Sequence, residues 1–149
     1  MSKNTIPLVS TLAATMTGCA DPIIGDWTVT KYLDWDIPHT ETVTEEYNGT
    51  TYEYTVNLNA MDMTIDAELA GTFKTDQRMS SDGTEYDLSF ESTVAVVVTD
   101  AGYDITLTPE GDDMDELVLN CTLESALSCT NNDMQGLEAT NKTIEFAKK

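Results

Sequence analysis

The chain is 149 residues long and carries 7 Lys+Arg against 27 Asp+Glu, a formal charge of −20. That length supports one domain with a single core and no second domain. The charge repels phosphate backbones and anionic headgroups, which excludes nucleic acid as a partner. So much acid reads either as a hydrated surface suited to salty surroundings or as a face for a cationic partner.

Met1 to Gly18 holds one early cation, Lys3, and an apolar run from Ile6 to Ala14, and every acidic residue comes after Cys19. A basic start, a short apolar run and a small-residue cleavage site are the parts of an export signal, and this run is too short to span a bilayer. Met16-Thr17-Gly18-Cys19 resembles the lipobox of bacterial lipoproteins, with Gly18 and Cys19 on the pattern and Met16 where Leu is usual. The resemblance implies that residues 1–18 are a lipoprotein signal peptide, that Cys19 is lipidated as the mature N-terminus, and that 19–24 form a short spacer. It also implies export to the cell envelope and attachment to a membrane through the N-terminal lipid. Ala20 follows the cysteine where an Asp would retain the protein in the inner membrane, which favours the outer membrane where the source has one. An ordinary cleaved signal and a structured N-terminus are the alternatives.

From Trp27 onward the pattern alternates with period two, and no segment keeps a helical period over a helix's length. Tyr52, Tyr54, Val56 and Leu58 lie on one face of a strand over 51–59, opposite Glu53, Thr55 and Asn57. The apolar parity then switches, which predicts a tight turn or bulge at Asn59-Ala60. Met61, Met63, Ile65, Ala67, Leu69, Gly71 and Phe73 continue it, and predict one long strand from Met61 to Lys74. Ser80-Ser81-Asp82-Gly83 is a turn, after which Tyr86, Leu88, Phe90, Val94, Val96 and Val98 share one parity. Asp100-Ala101-Gly102 turns again into Tyr103, Ile105 and Leu107. Beyond the break at Pro109 to Asp113 come Leu117, Leu119, Cys121 and Leu123, and a last strand over 142–146 turns Ile144 and Phe146 inward.

Eight to ten strands joined by short turns, each with one apolar face, predict an all-β antiparallel meander. Long strands leave exposed edges in an open sheet, so closure into a barrel is favoured over the alternative, a two-sheet sandwich. Gly25-Asp26-Trp27 stands at the start of the first strand and resembles the Gly-x-Trp motif of lipocalin-like barrels. The resemblance implies an up-and-down barrel over 25–149 whose Gly25 and Trp27 mark the closed end. With Cys19 lipidated, Cys121 and Cys129 are left as an even pair. A three-residue loop between Leu123 and Leu127 would place them opposite each other for a disulfide, the alternative being two buried thiols.

Catalytic chemistry is thinly represented. The only histidine is His39, next to Pro38, and there is no Gly-x-Ser-x-Gly, no phosphate-cradling glycine loop and no Cys-x-x-Cys. The acidic stretch Glu110 to Glu116 reads as a solvated turn, with calcium as the alternative, although it lacks the spacing of a calcium loop. No cofactor is implied, and the expected protein is not an enzyme. An eight-stranded barrel has room either for its own side chains or for one small ligand. Trp27, Tyr52, Tyr54, Met63, Tyr86, Phe90 and Tyr103 are bulky enough to fill it. The ligand reading places a fatty-acid-sized or aromatic molecule near Tyr54, Met63, Phe90 and Tyr103, its polar end partnering the buried tyrosine hydroxyls while Met63 and Phe90 adapt to its apolar body. The expectation is therefore a lipid-anchored envelope protein binding a small hydrophobic molecule. The alternative is a filled barrel that docks on an envelope partner, or inhibits a cationic enzyme, through its surface.

Overall fold

The computed structural model describes residues 20–111, 114–131 and 142–149. Residues 1–18, expected as a signal peptide, and Cys19 lie outside the described residues, as do Asp112 and Asp113. Among the described residues there are eleven strands and no helix. They are β1 (Gly25–Tyr32), β2 (Trp35–Asp36), β3 (His39–Tyr47), β4 (Thr50–Ile65), β5 (Ala70–Ser81) and β6 (Thr84–Asp87), followed by β7 (Glu91–Thr99), β8 (Gly102–Pro109), β9 (Leu117–Leu123), β10 (Leu127–Thr130) and β11 (Thr143–Lys148).

Eight of these strands close a ring in the order β1, β4, β5, β7, β8, β9, β10, β11, and every neighbouring pair is antiparallel. The ring closes because β1 is paired along both edges, with β11 on one side and with residues 62–65 of β4 on the other. A barrel rather than a sandwich follows, since closure removes the open edges that two separate sheets would keep. The strands take their places in chain order, as an up-and-down barrel does.

The turn at Asn59-Ala60 resolves as a bulge: β4 runs unbroken from Thr50 to Ile65 and its register against β5 slips between Leu58 and Ala60. One extra residue there lets Leu58 and Met61, three apart, both face the core. The single strand predicted from Met61 to Lys74 is instead a hairpin. Asp66 organises its turn, its carboxylate Oδ1 accepting from the N–H groups of Glu68 at 2.8 Å and Ala70 at 3.2 Å. Leu69 adopts a positive φ of 61°. Gly71 follows, where an added Cβ would stand 1.7 Å from the Thr64 carbonyl oxygen, so only glycine leaves this turn without a clash. The turn escaped the alternation because it spans four residues, an even number, so inward parity is the same on both sides.

At 16 residues, β4 is roughly 50 Å long at ~3.3 Å per residue, about twice what the barrel wall uses. Its first half pairs β3 from His39↔Leu58 to Tyr47↔Thr50, and the far half of β5 pairs β6. These strands form a four-stranded extension that rises beyond one rim. Here the inward reading fails for Tyr52, Tyr86 and Leu88, which are 48%, 48% and 41% exposed. They lie on the side that continues the barrel's inner surface, but above the rim no opposite wall covers them. Val98, also read as inward, is exposed at the far end of β7.

At the other end the chain entering the barrel forms a plug. Ile23 is 0% exposed, and the buried Trp27 indole N–H donates to the Ile23 carbonyl at 2.8 Å. Asp21 holds the plug's shape by accepting from the Ile23 N–H at 3.1 Å, while the Lys148 ammonium donates to the Pro22 carbonyl at 3.0 Å and lies 5.3 Å from the Trp27 ring centre. Above the plug Val29, Met63, Ile65, Val94, Ile105, Leu119, Leu127 and Phe146 pack as one core.

The loop 124–126 closes the β9–β10 hairpin with three residues, and Cys121 and Cys129 stand opposite each other with Cα atoms 4.1 Å apart, joined as a disulfide. This matches the close, non-hydrogen-bonded pairing of an antiparallel ladder. Chain entropy for so short a loop gives about 2.5 kcal/mol. Replacing both cysteines with alanine should lower the stability to urea unfolding by roughly that amount while leaving the barrel's far-ultraviolet spectrum intact. Thiol titration of the unfolded, unreduced 20–149 chain should find no free thiol.

Candidate functional site

The end opposite the plug is where β1, β8 and β10 finish and β7, β9 and β11 begin. It contains a cavity of about 240 Å³. The buried Met61, Phe73, Leu119 and Phe146 make its base, and Leu107 and Ile144 its sides. The less buried Tyr32, Phe90 and Leu117 stand at its opening with Met114 and Asp115. Among the described residues, only Tyr32, Ser92 and Asp115 bring polar side chains to a wall that is otherwise apolar. Burial raises the Tyr32 phenol above its ordinary pKa, so this hydroxyl stays neutral at physiological pH.

The volume decides what the cavity can take. It equals roughly eight water molecules at ~30 Å³ each, too large for a close-packed interior and below the ~300 Å³ at which drug-sized sites begin. A short alkyl tail or a single ring fits that size. The extension continues the apolar wall outward along the same side of β4 and β5, through Val56, Met79 and Tyr54. A larger groove of about 710 Å³ lies beside the plug, between Pro22, Tyr103, Glu124 and Lys148. It is a surface depression crossed by charged side chains, so it withholds little from water, and the mouth cavity is the stronger candidate.

The four residues grouped from the sequence do not form one site. Phe90 lines the mouth cavity, its ring centre 6.4 Å from that of Phe73 and its N–H donating to Thr75 Oγ1 at 3.0 Å. Met63 is buried nearer the plug, opposite Trp27 on β1. Tyr103 stands at the closed end, where its hydroxyl donates to Asp21 Oδ1 at 2.8 Å, and burial and then Asp21 raise its pKa. Tyr54 belongs to the extension, where its hydroxyl donates to Glu45 Oε1 at 2.9 Å and that bond, more than burial, raises its pKa. The hydroxyls of Tyr54 and Tyr103 thus have protein partners and need none from a ligand.

Sequence reasoning missed Tyr32, Met61, Ser92, Leu107, Met114 and Leu117 as companions of Phe90. One signal was present: Met114 is an apolar residue inside an acidic break, with no strand to account for it. His39 stacks on Trp35 with ring centres 4.7 Å apart and lies 3.9 Å from Glu41. No group of three or more His, Cys, Asp or Glu side chains is arranged to hold a metal ion among the described residues. Comparison of the chain with protein-family models, with curated proteins and with solved structures finds no match.

The two tryptophans report on opposite ends. Trp27 belongs to the plug, whereas Trp35 lies 6.4 Å from Tyr32 in the cavity wall. A ligand in the mouth should change Trp35 emission, so Trp35→Phe should abolish a ligand-induced fluorescence change and Trp27→Phe should preserve it.

Proposed function

We propose that this protein is a non-catalytic binding protein that holds the apolar part of a small molecule in the mouth of its barrel, and that it does so as a lipid-anchored lipoprotein of the cell envelope. The observation that carries the reading is the cavity of about 240 Å³. It lies opposite an end sealed by Ile23 and Trp27 and beneath the four-stranded extension. A barrel stopped at one end and open at the other is a cup, and burial of hydrocarbon in such a cup is favourable by about 0.8 kcal/mol per methylene.

The envelope part rests on the resemblance of Met16 to Cys19 to a lipobox, and the structure is compatible with it. Acylation at Cys19 would leave only Ala20 between the anchor and Asp21, whose carboxylate is bonded to Tyr103. Residues span at most ~3.6 Å each, so the plugged end would sit against the bilayer and the mouth would face away from it. Mass spectrometry of the membrane fraction should find an N-terminal peptide that begins with an acylated Cys19. A peptide retaining Met1 would overturn the anchor and leave the cavity reading standing.

The surface-interaction reading draws on the exposed Tyr47, Tyr52 and Tyr86 of the extension. A homologous series of primary alcohols separates the two. Affinity should rise roughly fourfold per added methylene until the cavity is full, then level off. Leu117→Trp, at a half-buried position in the cavity wall, should abolish binding without unfolding the barrel. An affinity unaffected by chain length would leave the extension as the functional surface.

A further inference from the structure

Building on the reading of the mouth cavity as a ligand site, we infer that its ligand is a cationic amphiphile, an ammonium compound whose apolar part fills the cavity while its charged head stays at the rim. The cavity itself selects only for hydrocarbon; the sign of the head is chosen by what surrounds the opening. Among the described residues Asp115 is the only charged one in the cavity wall, and it is exposed to solvent. Glu91 and Glu110 flank Phe90 on the neighbouring surface. Further out, Glu41 and Glu45 stand opposite Val56 and Tyr52, on the side of the extension that continues the cavity wall.

Among the described residues none of the cations near this end lines the cavity. Lys74 lies 3.6 Å from Glu91, and Lys142 stands just before β11. Lys31 points outward beside Glu145 and Asp36, its register partners on β11 and β2. A carboxylate head, as on a fatty acid, would have to lie against Asp115, and among the described residues no basic side chain of the cavity wall is offered to it. An ammonium head there meets a carboxylate and two aromatic rings, Tyr32 and Phe90, whose faces attract cations. It keeps its water on the open side, so the desolvation that penalises a buried charge does not arise. The net charge of −20 adds a field of the same sign over the whole molecule.

The test uses three probes with one tail, octylammonium, octanol and octanoate, titrated into the full mature protein by calorimetry and by Trp35 fluorescence. At neutral pH the first is a cation, the second neutral and the third an anion. Octylammonium should bind about tenfold or more tighter than octanoate, with octanol between, an exposed ion pair and cation–π contact together supplying that factor. Asp115→Asn should narrow the spread by weakening octylammonium relative to octanoate, and Leu117→Trp should abolish all three. Octanoate binding as tightly as octylammonium would overturn the inference while leaving the cavity reading intact. So would octylammonium binding that persists in Leu117→Trp, because the cation would then sit elsewhere on the acidic surface. If octanol fails to bind, the cavity reading itself falls.

Discussion

Pairing of β1 along both of its edges is the constraint on which this molecule depends. Along one edge it meets β11, the last strand, and along the other only residues 62–65 of β4. The first pairing joins the two ends of the described chain into a ring. The second is short, and its shortness determines the rest of the shape. Because β1 occupies β4 for a few residues only, the earlier half of β4 is left to β3, and the extension begins where the ring ends. The same division occurs on β5, whose first residues belong to β7 and whose last belong to β6.

From that division come two unlike ends. At one, the chain entering β1 folds back under the barrel, and Ile23 and Trp27 fill the opening with their polar atoms satisfied locally. At the other, strands finish at different heights, and the wall is partly loop rather than strand. Side chains there have neighbours on fewer sides, so the core stops short of filling the space, and the unfilled part is mostly apolar because inward positions near the rim are apolar apart from Thr75 and Ser92. The disulfide lies in the β9–β10 hairpin near the closed end, with Tyr103 opposite Cys121 on β8. The covalent tie and the plug therefore stiffen the same end, and the mouth is built from non-covalent contacts alone among the described residues.

This distribution bears on how ligand chemistry is read from the fold. Hydrocarbon capacity is set by the inward faces of the ring and is small. On the proposed reading, head-group preference follows from exposed residues at and above the rim, where acids outnumber bases, as they do in the chain as a whole. The extension adds aromatic surface on the ligand's side of the rim while its other side is held by polar ladders such as Thr40–Asn57, Thr42–Thr55 and Arg78–Glu85. Both faces of the extension meet solvent, the polar ladders on one and Tyr52, Tyr86, Glu41 and Glu45 on the other.

Much of this was legible from residue order. Alternation along Thr51–Leu58, Val94–Val96 and Leu117–Leu123 assigns each side chain to a face, since a strand's side chains alternate whatever surrounds them. The parity break at Asn59 marks the bulge, and the spacing from Cys121 to Cys129 matches a hairpin with a three-residue loop. What alternation cannot carry is whether a face is enclosed. Tyr52 and Leu58 share a face of one strand, yet Leu58 is buried and Tyr52 is half exposed, because the ring passes over one and not the other. Nor does parity register a turn of even length, so the hairpin at Asp66–Leu69 was hidden. The local pattern thus determined most strand faces and the disulfide pair, though not every strand boundary. The position of the rim, and with it the cavity and the company of Phe90, was decided by which distant strands claim the edges of β4 and β5, a contest settled only when the ring closes.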